Sequence, residues 1–303
     1  MAGLSGVFPV LPTPFAAGGA PDPDALARLV DFAIEAGADG VVYPGMASEV
    51  ETLSAAEREA MVSALGARLA RRRPLVVGAS SPDPAQSTAR ITEGIAAGAV
   101  AAMVMAPAKL GQDVAAHAAF FGAIAAGAPG VALILQNAPA PGGAGLSPQT
   151  VAAICDAVPA IRYVKEETLP CGQHVAKILA ATAGRLDGVL GGAGARFILD
   201  ELSRGACGTM PAAEITDVHV QLWRLWQGGD VAPARALYAA TLPLLTQQMV
   251  FRWRLTKHVL MRRGLLAGTV TRAAGPAPDN GDVAEWDAIL AVLSPALAMH
   301  PPR

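Results

Sequence analysis

Short apolar or β-branched runs recur along the chain, and each is followed by an alanine-rich stretch whose apolar positions repeat with helical spacing. Strands are expected to begin near residues 6, 39, 74, 101, 130, 160, 186 and 206. Helices are expected over 22–36, 54–69, 83–97, 112–126, 147–157, 172–183, 193–203 and 214–227. Ser54, with Glu57 three residues later, is a capping-box signature at the start of the second helix. The strand runs read as buried on both faces, the mark of a covered parallel sheet. Alternating with as many helices, they predict an α/β fold of the (β/α)8 barrel type rather than a doubly wound sheet. The barrel is expected over residues 1–230 and carries the chemistry. Residues 231–303 read as a C-terminal helical extension of three helices, broken by a Gly/Pro-rich loop near 264–281, with a role in packing or assembly.

The length of 303 residues accommodates the roughly 250 residues typical of a barrel, with a tail to spare. An apolar share of 52% against 16% charged residues favours one large core. A net charge of −2 leaves no electrostatic footprint for nucleic acid, and Arg71, Arg72 and Arg73 read as a helix end before Pro74. The stretch from Val114 to Cys155 lacks charge, but Gly127, Pro129, Pro139, Pro141, Gly142 and Gly143 interrupt it, so no membrane span of about 20 residues fits. Cys155, Cys171 and Cys207 have no paired spacing, which points to a reducing compartment and no structural metal. Pro9, Pro12 and Pro14 interrupt the first apolar segment before it can act as a signal peptide, so a cytoplasmic location is expected. No motif calls for a cofactor.

Lysine is scarce, and Lys165 ends the apolar run Ala160-Ile161-Arg162-Tyr163-Val164, just before Glu166 and Glu167. A lysine at the end of a buried strand is a candidate nucleophile, because desolvation favours the neutral amine that attacks a ketone to form a Schiff base. The competing structural role is a side chain that snorkels to solvent and pairs with a carboxylate. Barrel enzymes place catalytic groups at the carboxyl ends of strands, and Lys165 ends the sixth. If that strand runs on, Lys165 and Glu167 share a face and Glu166 points away. Other strand ends supply candidate substrate contacts. Ala47 and Ser48 lie in the turn Pro44-Gly45-Met46-Ala47-Ser48-Glu49, whose backbone donors and hydroxyl can hold a carboxylate. Gln136 follows the fifth strand, and Gly191 and Gly192 follow the seventh. Each of these can equally be an ordinary strand-to-helix turn.

These motifs resemble the superfamily of dihydrodipicolinate synthase and N-acetylneuraminate lyase, the Schiff-base aldolases and dehydratases, over nearly the whole chain. The opening from Gly6 to Phe15 looks like its first strand and Thr-Pro-Phe turn, and Gly45-Met46-Ala47-Ser48-Glu49 takes the place of its Gly-Thr-Thr-Gly-Glu carboxylate-binding motif. Val164-Lys165-Glu166 matches the step that carries the Schiff-base lysine. The departures are informative. Gln136-Asn137-Ala138-Pro139 replaces Tyr-Asn-Val-Pro, whose tyrosine relays protons, and glutamine cannot relay by ionising. Pro141 stands where synthases carry an arginine, and Met46 and Ala47 replace two threonines. The resemblance is closer to the dehydratases of 2-keto-3-deoxy sugar acids, the L-2-keto-3-deoxyarabonate dehydratase-like branch. That branch has a Gln-Asp-Ala-Pro-like motif, an acidic residue and a threonine at the places of Glu167 and Thr168, and a serine at the place of Ser48. The match weakens at Gly191 to Ala195, where that branch is acidic.

The resemblance implies a lyase in which Lys165 condenses with a 2-oxo acid and Glu167 takes the proton from the adjacent carbon, leading to dehydration of a 2-keto-3-deoxy sugar acid. Two other reactions share the Schiff base: retro-aldol cleavage releasing pyruvate, and a dihydrodipicolinate synthase-like condensation. A binding protein for 2-oxo acids without turnover is the alternative of another class. Glu49 is expected to serve structure rather than acid catalysis, and Tyr43 and Tyr163 to serve packing. The implied partners are a small-molecule 2-oxo acid and further copies of the chain, in a dimer or tetramer, with no nucleic acid and no membrane.

Overall fold

The computed structural model describes residues 3–297. In chain order, β1 (Gly6–Val7) leads to α1 (Pro23–Glu35), β2 (Val41–Tyr43) to α2 (Ala55–Leu69), β3 (Leu75–Gly78) to α3 (Pro84–Ala96), and β4 (Ala99–Met105) to α4 (Val114–Gly127). β5 (Ala132–Asn137), β6 (Ile161–Glu166), β7 (Gly188–Gly191) and β8 (Gly208–Thr209) lead in turn to α5 (Pro148–Ala157), α6 (Cys171–Thr182), α7 (Ile198–Ser203) and α8 (Thr216–Gln227). Three more helices follow: α9 (Val231–Phe251), α10 (Trp253–Arg262) and α11 (Asn280–Leu293). The fold is the (β/α)8 barrel that the alternating pattern predicts.

The chain packs as two compact units, one comprising Pro74–Met210 with the residues up to Ser5, the other Gly6–Arg73 with the chain from Pro211 onward. In the first unit each strand from β3 to β8 pairs in parallel with the next along the chain. β3 and β7 are buried at every position, and the core positions of β4, β5 and β6 are equally inaccessible. Such strands need no polar alternation, because a parallel ladder is covered on both faces. In the second unit Val10 bridges in parallel to both Val42 and Ala212. The amides of Leu11 and Val42 donate to the carbonyls of Val42 and Pro9 at 3.1 and 3.0 Å. Helices α8 to α11 belong to this second unit, where Trp286, Leu244, Leu245, Leu255 and Val259 form an apolar cluster.

Local sequence sets where the helices start. The amides of Ala25, Ala85, Ala116 and Thr150 donate to the side chains of Asp22, Asp83, Asp113 and Ser147, so four strand-to-helix loops each deliver a capping oxygen. At α2 the Ser54 amide donates to Glu57 at 2.9 Å and the Glu57 amide to the Ser54 hydroxyl at 3.2 Å, the reciprocal box that the spacing predicts. One helix departs from expectation. The stretch 193–203 does not form a single helix; α7 begins only at Ile198, because Ala193, Gly194 and Ala195 take positive φ values of 47°, 66° and 60°. Alanine favours a right-handed helix by propensity, so another demand on this backbone has overridden it.

Ser54→Ala should cost about 1 kcal/mol of stability through loss of the cap. Urea unfolding with an unchanged midpoint would show that the box contributes nothing.

Candidate active site

The register of the first unit builds the site. Gln136 pairs with Lys165, and Lys165 with Leu190; Asn137 pairs with Glu166, and Glu166 with Gly191. Side chains paired across parallel strands share a face and successive residues alternate, so Gln136 and Lys165 share one side of the sheet. Asn137, Glu166 and Gly191 share the other. The ladder continues beyond β6, since the Glu167 amide donates to the Asn137 carbonyl at 3.1 Å. Glu167 thereby returns to the face of Lys165, and its Oε1 stands 3.2 Å from Lys165 Nζ. Both side chains are largely buried, 6% and 14% exposed.

A carboxylate in such a place stays ionised only if its neighbours replace the lost water. Burial by itself would raise the Glu167 pKa. The Lys165 charge, the Gln136 amide and the Ala193 N–H outweigh it, and the carboxyl is held below the usual range. Gln136 Nε2 donates to Oε2 at 2.6 Å and the Ala193 amide to Oε1 at 3.1 Å. The left-handed turn at Ala193 to Ala195 has its local explanation here, since it carries the amide that bonds Glu167. Gly192 makes the approach possible: a Cβ there would lie 2.5 Å from Cγ of Glu167. Of the expected contacts, Lys165, Glu167, Gln136 and Gly192 are brought together.

Gly191 faces the opposite side, against Glu201 of α7. On that side Glu166 is fully buried and accepts from the Thr168 amide at 2.7 Å, the Thr168 hydroxyl and Asn137 Nδ2 at 2.8 Å. Burial pushes its pKa up to about 7, against those hydrogen bonds and with the Glu167 charge adding to the rise. Asn137 is in turn fixed by Leu146, whose amide donates to its Oδ1 at 2.8 Å. His174 Nδ1 lies 2.7 Å from the Thr168 hydroxyl. No signal in the sequence marks Glu201, because an acid in a short helix reads as part of a solvated face.

Ala47 and Ser48 belong to the second unit, in a 3-10 turn over Met46–Ser48. The Ser48 hydroxyl donates to the Leu11 carbonyl at 2.5 Å and accepts from the Gly45 amide at 2.8 Å. Its one proton is thus spent within the protein, and an anion on this turn would be held by backbone amides. Glu49 has a left-handed backbone, φ 57°, and a buried carboxylate. It accepts from Lys257 Nζ at 2.5 Å and from the amides of Arg272 and Ala273 at 2.8 and 2.7 Å. Trp253 Nε1 donates to the Met46 carbonyl at 2.6 Å, so residues of the tail grip this turn directly. Lys257 is the second buried lysine among the described residues, and no motif in the sequence marks it. It also donates to the Val270 carbonyl at 2.7 Å and lies 4.2 Å from the Phe15 ring centroid, a set of contacts that serves structure. Tyr43 is fully buried and hydrogen-bonded to Thr13 at 2.9 Å; the Tyr163 hydroxyl accepts from the Leu4 amide at 2.9 Å.

Among the described residues, no group of three or more His, Cys, Asp and Glu is placed to hold a metal ion. No described helix is long and apolar enough to cross a membrane.

The contact between Lys165 and Glu167 lies at the carboxyl end of a strand, where (β/α)8 barrels carry their active sites. Residues 3–280 match the dihydrodipicolinate synthetase family, and the chain belongs to that family. It is 30% identical over 261 residues to L-2-keto-3-deoxyarabonate dehydratase of Azospirillum brasilense, spanning 86% of this chain and 84% of that one. It is 28% identical over 279 residues to 4-hydroxy-tetrahydrodipicolinate synthase of Parasynechococcus marenigrum, spanning 90% of each. The crystal structure of dihydrodipicolinate synthase from Rhodopseudomonas palustris superposes with a TM-score of 0.87 at 28% identity, over 96% of this chain and 98% of that one. The protein is therefore an enzyme, a lyase of the dihydrodipicolinate synthetase family.

Gly192→Ala should destabilise the protein by about 1–3 kcal/mol through overpacking against Glu167. Gly142→Ala, whose Cβ would meet an ordinary contact at 3.6 Å, serves as the control. Equal unfolding midpoints for the two variants would mean that Glu167 does not depend on this gap.

Proposed function

We propose that this lyase forms a Schiff base between Lys165 and a 2-oxo acid and dehydrates a 2-keto-3-deoxy sugar acid. The observation that carries the proposal is the 3.2 Å contact between the Lys165 amine and the Glu167 carboxylate on one face of the sheet. Once Lys165 loses its proton, Nζ attacks the keto carbon and water leaves, giving an iminium. That cation draws electrons from the neighbouring C–H bond, and Glu167 takes the proton to leave an enamine. The enamine expels the hydroxyl of the next carbon, which departs as water with the proton that Glu167 holds. Hydrolysis of the resulting unsaturated iminium releases the product and frees Lys165.

Gln136 supports dehydration over cleavage. It donates to Glu167 and so orients the base, and it cannot ionise to collect the proton of a substrate hydroxyl, the step that begins carbon–carbon cleavage. The likeness to the Azospirillum brasilense dehydratase over most of both chains supports the same substrate class. The protein is proposed to act in the cytoplasm as a homo-oligomer, on a small-molecule acid.

Borohydride trapping with pyruvate and with several 2-keto-3-deoxy sugar acids, followed by peptide mapping, should give an adduct on Lys165. Lys165→Ala should give neither adduct nor turnover. Glu167→Gln should keep the adduct and slow turnover on the order of a hundredfold, as expected for loss of a positioned base. Wild-type turnover in Lys165→Ala removes the covalent mechanism, and pyruvate among the products shows cleavage in place of dehydration.

A further inference from the structure

The end of β7 is a partition of two glycines, each facing a different carboxyl group. A Cβ on Gly191 would stand 1.9 Å from Oε2 of Glu201, and one on Gly192 would stand 2.6 Å from Oε1 of Glu167. Consecutive residues of a strand face opposite ways, so this one stretch of backbone separates the two acids. The next residue, Ala193, supplies the amide that bonds Glu167. Any shift of Gly191 therefore reaches the Glu167 carboxylate within two residues.

Glu201 is 1% exposed, and among the described residues neither of its carboxylate oxygens has a partner of normal hydrogen-bond geometry. A bare anion there would have lost its water with nothing in exchange. The ionisable groups that act on it are Glu166, Asp200 of its own helix and the thiol of Cys171 from α6, with Glu167 acting from across the glycine partition. Asp200 is itself paired with Arg204 at 2.8 Å. No cation in that set points at Glu201.

We propose that Glu201 is a positioning residue for Glu167: its carboxyl, packed on Gly191, holds the Gly191-Gly192-Ala193 segment in place, and a negative charge on Glu201 releases that segment and the Ala193 amide. The inference rests on Glu167 being the base of the proposed reaction. Burial first, and then the charges on Glu167, Asp200 and Glu166, push the Glu201 carboxyl up to about 8. A folded-state value above the ordinary one means that the group carries its proton at neutral pH and loses it as pH rises through about 8. The protons are thus divided among neighbouring acids, with Glu167 ionised and Glu201 neutral, as expected where like charges compete in a dry site. The stabilising neutral state of Glu201 is lost on the alkaline side, and the acid side leaves it untouched.

The test uses exchange of the pyruvate methyl protons with deuterium from solvent, followed by NMR, which needs the amine and the base whichever bond later breaks. Wild-type exchange should fall about tenfold per pH unit above the Glu201 transition, as for loss of one essential proton, whereas Glu201→Gln should stay within about twofold of its neutral rate up to pH 9.5. Backbone hydrogen exchange by mass spectrometry on peptides spanning 190–197, corrected for intrinsic rates, should show wild-type protection dropping between pH 7 and 9.5. The same alkaline limb in both proteins overturns the proposal, and so does protection in the wild type that is unchanged over that range. The second measurement needs no variant and no substrate. Wild-type protein that exchanges no pyruvate protons and traps no adduct sinks the Schiff-base reading, while a pH-dependent loosening of the 190–197 peptides would still report on Glu201.

Discussion

The buried pair of Lys165 and Glu167 is the constraint around which the first unit is arranged. Taking two opposite charges out of water costs several kcal/mol per ion, and a contact at 3.2 Å offsets that only when the remaining donors and acceptors are also satisfied. Gln136 satisfies one oxygen and the Ala193 amide the other. The amide can reach because three successive residues accept a left-handed backbone, a strain of order 1 kcal/mol for each alanine. Gly192 leaves the room. The displaced start of α7, unexplained by helix propensity, follows from the same demand.

Charge is managed differently on the other face of the same strands. There Glu166 is wrapped by Thr168 and Asn137, and Glu201 has no ion-pair partner among the described residues. Three acids close together in a dry environment cannot all ionise. The one beside the amine keeps its charge, and the other two have their protons drawn on by burial. The acid that the proposed reaction needs in charged form thus has neighbours that are easier to neutralise. The second unit solves its own buried charge by full pairing. Glu49 is met by Lys257 and two backbone amides, and Arg272 binds Glu57 at 2.6 and 2.9 Å while donating to the Thr52 carbonyl. Those contacts fasten α10 and the loop after it to the turn of Met46–Ser48, which gives the C-terminal extension a definite task within its unit.

Much of this was legible in the residues. The order of strands and helices follows from periodicity and capping, which are local: Ser54 and Glu57 form their box wherever the helix packs. The placing of Lys165 and Glu167 on one face required only that β6 run on past the lysine, and the alternation of a strand did the rest. Gln136 as a substitute for a proton-relaying tyrosine was visible from its motif, but its bond to Glu167 was not. The turn motif offers the Ser48 hydroxyl to a ligand, but its proton goes to the Leu11 carbonyl. Lys257 and Glu201 carried no local mark of burial at all.

The sequence by itself determined the order of strands and helices, apart from the start of α7, and that the strands are mostly buried, with an amine and an acid two residues apart at the end of one of them. These are properties of periodicity and of short-range backbone geometry, so nearest neighbours along the chain suffice to specify them. Only the tertiary structure decided which buried polar group meets which: Gln136 and Ala193 with Glu167, Leu11 with Ser48, Lys257 with Glu49, and Gly191 with Glu201. The reason is physical. The cost of removing a polar group from water is settled by the atoms that surround it in space, and for these groups those atoms come from other elements of the fold, most of them far away along the chain.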